Sequence, residues 1–230
     1  MKWLLRALVV LVVLLVAVDF GAKLLVENLA SRALSNRRGV NGSVDVSFGG
    51  FPFLLALKDR RFGNVTIEAD DVRSGGFMTA SAPSPQSEVR MDSVRLELED
   101  VAVSGQVWRD DGDGRVSATS GGGSAVLSQS ALNKMVPPEY SSKLTLRDGS
   151  VRVVANTAQF GTHEAEVAED QVRLEGDAGS GTLVVEAAAP VGAITIPLPT
   201  LIDGVVFEDI DVRRGELELM FSVRDVSLEL

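Results

Sequence analysis

The stretch RDDGDGRV (109–116) gathers enough side-chain oxygens to suggest a metal site. A calcium-binding helix–loop–helix needs oxygen ligands at loop positions 1, 3 and 5, glycine at 6 and glutamate at 12. Setting Gly114 at position 6 places Asp113 and Asp111 correctly, but puts Arg109 at position 1 and Ser120 at position 12. The pattern fails, and a solvated hairpin turn is the expectation. Asp111 and Asp113 also make the D-x-D spacing of metal-dependent glycosyltransferases, yet the alternating strand and helix pattern of a nucleotide-binding fold is missing. No G-x-S-x-G is found, so the common esterase signature is absent. The chain has no cysteine, which excludes disulfides, thiolate catalysis and cysteine-held zinc or iron–sulfur centres. Its one histidine, His163 in QFGTHEAEV, reads as a surface or hydrogen-bonded residue rather than a base. SGGGS (120–124) lacks the lysine and following helix of a phosphate loop and reads as a flexible turn. No enzyme, cofactor or metal site is expected from these residues.

The 230 residues are 45% hydrophobic and 23% charged, a balance that favours a folded chain over disorder. Charge is divided unevenly. Residues 1–62 hold nine Lys/Arg against four Asp/Glu, a net of +5, and residues 63–230 carry a net of −15. An acidic body repels phosphate backbones, so no nucleic-acid partner is expected. A basic amino end beside apolar segments suits a membrane surface bearing anionic lipids.

That amino end, MKWLLRALVVLVVLLVAVDFGA, sets Lys2 and Arg6 ahead of twelve apolar residues, Ala7 to Val18. It has the charge and length of an export signal, and is short for a span, which needs roughly 20 apolar residues. A cleaved signal and a retained anchor both fit, and both direct the remainder across the cytoplasmic membrane into the periplasm or cell envelope. Residues 1–35 are assigned to this segment and the helix continuing from it, and residues 36–230 to a single lipid-binding α+β domain. Within the helical stretch Phe20–Leu34, Phe20, Leu24, Leu25, Asn28, Leu29 and Ala33 fall near one face. Arg37, Arg38 and nearby glycines end it.

Beyond the helix, strand patterns dominate the chain. SVDVSF, NVTIEA and SVRLELED alternate apolar and polar residues, as do later runs up to GELELMFSVRDVSLEL, and RDGS and RRGE supply turns between them. Such alternation implies antiparallel strands with one dry and one wet face. LSQSALNKMVPPEY reads as a short helix capped near Ser128 or Ser130, with Leu132 and Met135 on one side. The dry face of the sheet would be covered by the long helix, the short helix and a ligand.

Three segments are greasier than the pattern requires. In FGGFPFLLAL (48–57), Pro52 pushes Phe51 to extended geometry and suits the first turn of a helix. Phe53, Leu54, Leu55 and Leu57 would then surround that turn, and with Phe51 form a cavity mouth or membrane-contacting lip. Lys58, Arg60 and Arg61 follow at once and could meet a lipid phosphate. In AITIPLPTLIDGVVF, Pro197 and Pro199 forbid a central strand, so Ile196, Leu198, Leu201 and Ile202 would form an irregular or short-helical rim. Phe77 and Met78, in the Ser/Pro/Gly loop 74–88, are candidates for dipping into a bilayer.

Four pieces, in order, carry a family resemblance: the apolar amino-terminal helix, VSFGGFPFLLAL with FGNVTIEADDV, AVLSQSALNKMV, and ITIPLPTLIDGVVFEDIDVRRGELELMF. With them the chain resembles the actinobacterial LmeA-like phospholipid-binding family. The resemblance implies a fold similar to tubular lipid-binding proteins, with a long amino-terminal helix along a strongly curved antiparallel sheet and one further short helix. It also implies an apolar groove for acyl chains, a phosphatidylinositol-type anionic ligand and support for assembly of lipomannan-type envelope glycolipids. The groove would be lined by Phe51, Phe53, Leu54, Leu55, Leu57, Leu132, Met135, Ile196, Leu198, Leu201 and Ile202. Lys58, Arg60, Arg61, Phe77 and Met78 would meet headgroup or membrane. A monomer without catalytic residues is expected. The alternatives are a glycolipid-modifying enzyme and a scaffold that binds a partner protein through its apolar segments.

Overall fold

The computed structural model describes residues 2–35, 41–73, 90–105, 115–157, 161–176, 181–198 and 204–229. Helix α1 (Lys2–Ser35) comes first, then strand β1 (Val44–Gly49) and the short helix α2 (Phe53–Asp59). Three long strands follow, β2 (Arg61–Arg73), β3 (Arg90–Ser104) and β4 (Arg115–Ser128), and β4 runs directly into helix α3 (Gln129–Met135). Then come β5 (Ser142–Arg147), β6 (Ser150–Thr157), β7 (Gly161–Ala168), β8 (Val172–Glu175), β9 (Thr182–Glu186) and β10 (Ala193–Pro197). A hairpin of β11 (Val205–Arg213) and β12 (Glu216–Glu229) closes the chain. The fold is α+β, and its sheets are antiparallel and open. Six strands make the main sheet in the order β1-β2-β3-β4-β12-β11, and β5-β6-β7 and β10-β9-β8 make two smaller ones.

Alternation in sequence becomes alternation in burial. Val44, Val46 and Phe48 of β1 are buried while Asp45 and Ser47 face water, and Val94, Leu96 and Leu98 do the same in β3. Inward residues from all three sheets join one continuous core, from Val44 through Leu144 and Ile194 to Val226. The wet faces carry ion pairs, across strands between Arg95 and Glu68, Arg213 and Glu218, and Arg152 and Glu164, and along one strand between Arg95 and Glu97 and between Arg213 and Asp211. These carboxylates raise the pKa of each guanidinium, chiefly by hydrogen bonding.

Two segments depart from their expected form. SGGGS is no turn: Gly121, Gly122 and Gly123 sit mid-strand in β4, paired with β3 and β12. A Cβ on Gly123 would stand 2.3 Å from the Arg95 carbonyl oxygen and 2.7 Å from the Phe221 ring, so the absence of side chains lets neighbouring strands and that ring close over β4. The second correction concerns AITIP, which is a regular strand. β10 is an edge strand of its sheet and Pro197 its last residue, two positions where a missing N–H costs no ladder bond.

Both edge strands β1 and β5 are closed by a helix through side chains. Glu27 and Ser31 of α1 accept from the backbone N–H groups of Phe48 (2.9 Å) and Val46 (3.0 Å). Gln129 and Asn133 of α3 accept from those of Leu146 (2.9 Å) and Leu144 (2.7 Å). In each case four residues along the helix match two along an antiparallel strand. The rises explain it: about 6.0 Å for four helical residues and about 6.6 Å for two strand residues. Unpaired edge donors are thereby satisfied without another strand. Ser128 caps α3, accepting from the Ala131 N–H at 3.4 Å.

Candidate functional site

The segment GGFPFLLAL folds into α2 as its proline dictates. Gly50 takes a left-handed φ of +104° and Pro52 stays extended, and the helix starts at Phe53. Proline offers no side-chain cap, so the cap comes from α1. The Asp19 carboxylate accepts from the N–H groups of Phe53 (2.8 Å) and Leu54 (2.7 Å). Asp19 is the one buried charged residue among those described, and two short bonds to a helix N-terminus account for its place there. Phe53 then points inward against Phe48 and Phe62, with ring centroids 6.0 and 5.9 Å away. Ala56 and Leu57 pack beside this cluster and remain half-buried.

The remaining apolar residues of α2, and Phe51 just ahead of it, face water. Phe51 is 66% exposed, Leu55 56% and Leu54 38%. Along α1, Val13, Leu14, Leu15, Val18, Phe20, Leu24, Leu25 and Leu29 are exposed as well. Among the described residues, Val206 is the only other large hydrophobe so exposed. Apart from Val206 in β11, the exposed grease of the described residues therefore lies on α1, α2 and the residue pair leading into α2, and Asp19 ties the two helices together in the middle of the set. The helical face picked out in sequence is the outward one. Phe20, Leu24, Leu25 and Leu29 look outward, while Ala22, Val26, Ala30 and Leu34 pack on the core beside Asp19, Glu27 and Ser31. The clasp onto β1 decides the rotation: polar groups that can reach edge N–H groups turn inward, and the bulkier apolar face is left outside.

Near the start of β2 the main sheet creases. Asp100 in β3 and Asp225 in β12 adopt left-handed backbone (φ 50° and 49°), and both lie level with Thr119 of β4 between them. Pairing lapses at that level in three ladders and resumes in the same register beyond it. A pocket of about 620 Å³ opens at the crease, lined by Arg61, Asp100, Ser117, Thr119, Asp225 and Ser227 over Phe62, Ala118 and Val226. Arg61, the first residue of β2 and two residues beyond the end of α2, links the pocket to that helix along the chain. Arg60 caps α2 in the left-handed region (φ 53°) and its guanidinium donates to the Gly105 carbonyl at 3.4 Å.

The sequence candidates separate into three groups. Phe51, Leu54 and Leu55 lie together on the exposed apolar surface, with half-buried Leu57 beneath and Lys58, Arg60 and Arg61 at its edge. Phe53, Leu132, Ile196 and Leu198 are packed in the protein's own core, and Met135 lies half-buried against it. Ile196 ends on a strand and Leu198 donates its N–H to the Gly181 carbonyl, so neither belongs to an irregular rim. Leu201, Ile202, Phe77, Met78, Asp111 and Asp113 lie outside the described residues. His163 sits half-buried in β7, paired with Ala155. Sequence reasoning missed Asp19, Asp100 and Asp225. An acid inside an otherwise apolar helix was the available sign for Asp19; nothing local marks the other two.

Among the described residues, no three His, Asp or Glu side chains group as metal ligands, and no helix is long and apolar enough to cross a membrane. A family model described as LmeA-like phospholipid-binding matches residues 17–222. No curated protein and no solved structure matches the chain.

Proposed function

Since the chain belongs to the LmeA-like phospholipid-binding family, we propose that it takes up a phospholipid on the apolar surface of α2 and the adjoining part of α1, with the phosphate held towards Lys58, Arg60 and Arg61. The observation carrying this reading is that, among the described residues, every exposed large hydrophobe but Val206 lies on α1, on α2 or at the entry to α2, next to a run of cations. Acyl chains laid over Phe51, Leu54 and Leu55 leave water at about 0.8 kcal/mol per methylene covered. Polar contact with the headgroup is left to the rim and to the crease pocket behind Arg61. The action is physical rather than catalytic: the lipid is held, not transformed. We place it beyond the cytoplasmic membrane, in the cell envelope, because Lys2 and Arg6 ahead of the apolar run have the character of an export segment. There it would support assembly or elongation of lipomannan-type glycolipids on an anionic, phosphatidylinositol-type lipid, as the family resemblance implies.

Native mass spectrometry of gently purified protein tests the reading. Phospholipid is expected on the wild-type chain, with at least a tenfold lower occupancy after joint Phe51→Ser, Leu54→Gln and Leu55→Gln substitution. A chain that carries no lipid, or pairs instead with another protein through these residues, would overturn it. Joint Asp111→Ala and Asp113→Ala substitution should leave lipid occupancy and glycolipid assembly unchanged; loss of assembly alone would favour the glycolipid-modifying enzyme.

A further inference from the structure

The outer face of α1 is more than a patch beside the lipid site. We propose that α1 lies flat in the interfacial layer of an anionic bilayer and docks the protein there by its outward apolar stripe. This rests on the phospholipid-binding reading and names the partner of the helical part of that surface.

Leu14, Val18, Leu25 and Leu29 are spaced by four, seven and four residues, which aligns them along one side of the helix over roughly 22 Å. All four are exposed, Leu25 to 68%. The helix cannot roll to hide them, because Asp19, Glu27 and Ser31 fasten its opposite side to α2 and β1. The stripe runs past Asp19 without a break. A perpendicular span through the first eighteen residues would lift Leu25 and Leu29 roughly 10–17 Å clear of the lipid. A flat helix instead uses the whole stripe at one depth.

Charge selects the bilayer over other occupants. Between residues 20 and 35 the sole acid is Glu27, which is turned inward onto the Phe48 N–H and paired with Lys23. Arg32 is exposed, and the first 62 residues carry +5 against −15 for the rest. The apolar face thus lies on the part of the molecule that an anionic surface attracts, and the acidic strands lie on the part that it repels. A second copy of the chain would bring like charges together there.

The chain has no cysteine, so single Leu14→Cys, Leu25→Cys and Leu29→Cys substitutions in the full-length protein accept one nitroxide label each. On vesicles of phosphatidylcholine with phosphatidylglycerol, all three labels should sit at one shallow depth by power saturation. A deep label at 14 with labels at 25 and 29 in water would overturn the flat arrangement. Co-flotation should fall about tenfold for L25Q/L29Q and on vesicles of phosphatidylcholine alone. Undiminished flotation in either case, or labels shielded without vesicles by pairing of two copies, would also overturn it. The two readings fail separately: phospholipid retained by a chain that does not dock leaves the proposed function standing, and docking without retained phospholipid leaves only the present inference.

Discussion

Helices α1 and α3 do the same work on their edge strands and differ in what they show to water. Each uses two side chains four residues apart to satisfy two alternate strand N–H groups: Glu27 and Ser31 in α1, Gln129 and Asn133 in α3. Behind that clasp, α3 buries Ala131 and Leu132 and exposes Ser130 and Lys134. α1 half-buries Ala22, Val26, Ala30 and Leu34 and exposes Phe20, Leu24, Leu25 and Leu29. Closing an edge therefore does not require grease outside, since α3 manages with a polar exterior. The apolar exterior of α1 needs another cause, and contact with lipid supplies one.

The same substitution on the two helices gives the sharpest test. Leu132→Gln should destabilise the protein by about 4 kcal/mol in denaturant unfolding, by emptying a core position and burying an amide. Leu25→Gln should leave stability within about 0.5 kcal/mol, because that side chain already faces water. Equal costs would erase the contrast between the helices.

Breaking the clasps should have intermediate effects. Asn133 makes three hydrogen bonds, two of them to both backbone groups of Leu144, so Asn133→Ala should cost about 3 kcal/mol. Glu27→Ala removes one charged acceptor from the Phe48 N–H and should cost about 1.5 kcal/mol, with faster amide exchange at Phe48. If the exchange of Phe48 does not change, α1 is not what protects β1. The smallest structural effect is expected at Leu55→Gln: less than about 0.5 kcal/mol in stability, yet reduced phospholipid retention in native mass spectrometry.

Local rules made much of this architecture legible. Period-two alternation marked strands such as β1 and β3, turn residues placed the β5–β6 and β11–β12 hairpins, and Pro52 located the start of α2. What escaped depends on partners distant in sequence. Three glycines look like a loop until the ring of Phe221, almost a hundred residues later, is found against Gly123. The direction of α1's apolar face was not legible, because periodicity finds the apolar side while the strand that α1 meets offers hydrogen bonds instead. Of the candidate site, α2 and its cations could be read directly. The crease could not, since Asp100 and Asp225 become neighbours of Thr119 only once β3 and β12 both pair with β4.

The positions of the three residues that fasten α1 set how much of the amino end this fold can spare. Asp19, Glu27 and Ser31 all lie beyond the apolar run, so trimming the chain just ahead of residue 19 would leave every tether in place. Trimming it at residue 35 would remove all three at once, strip the cap from α2 and offer β1 as a bare template for chain-to-chain pairing.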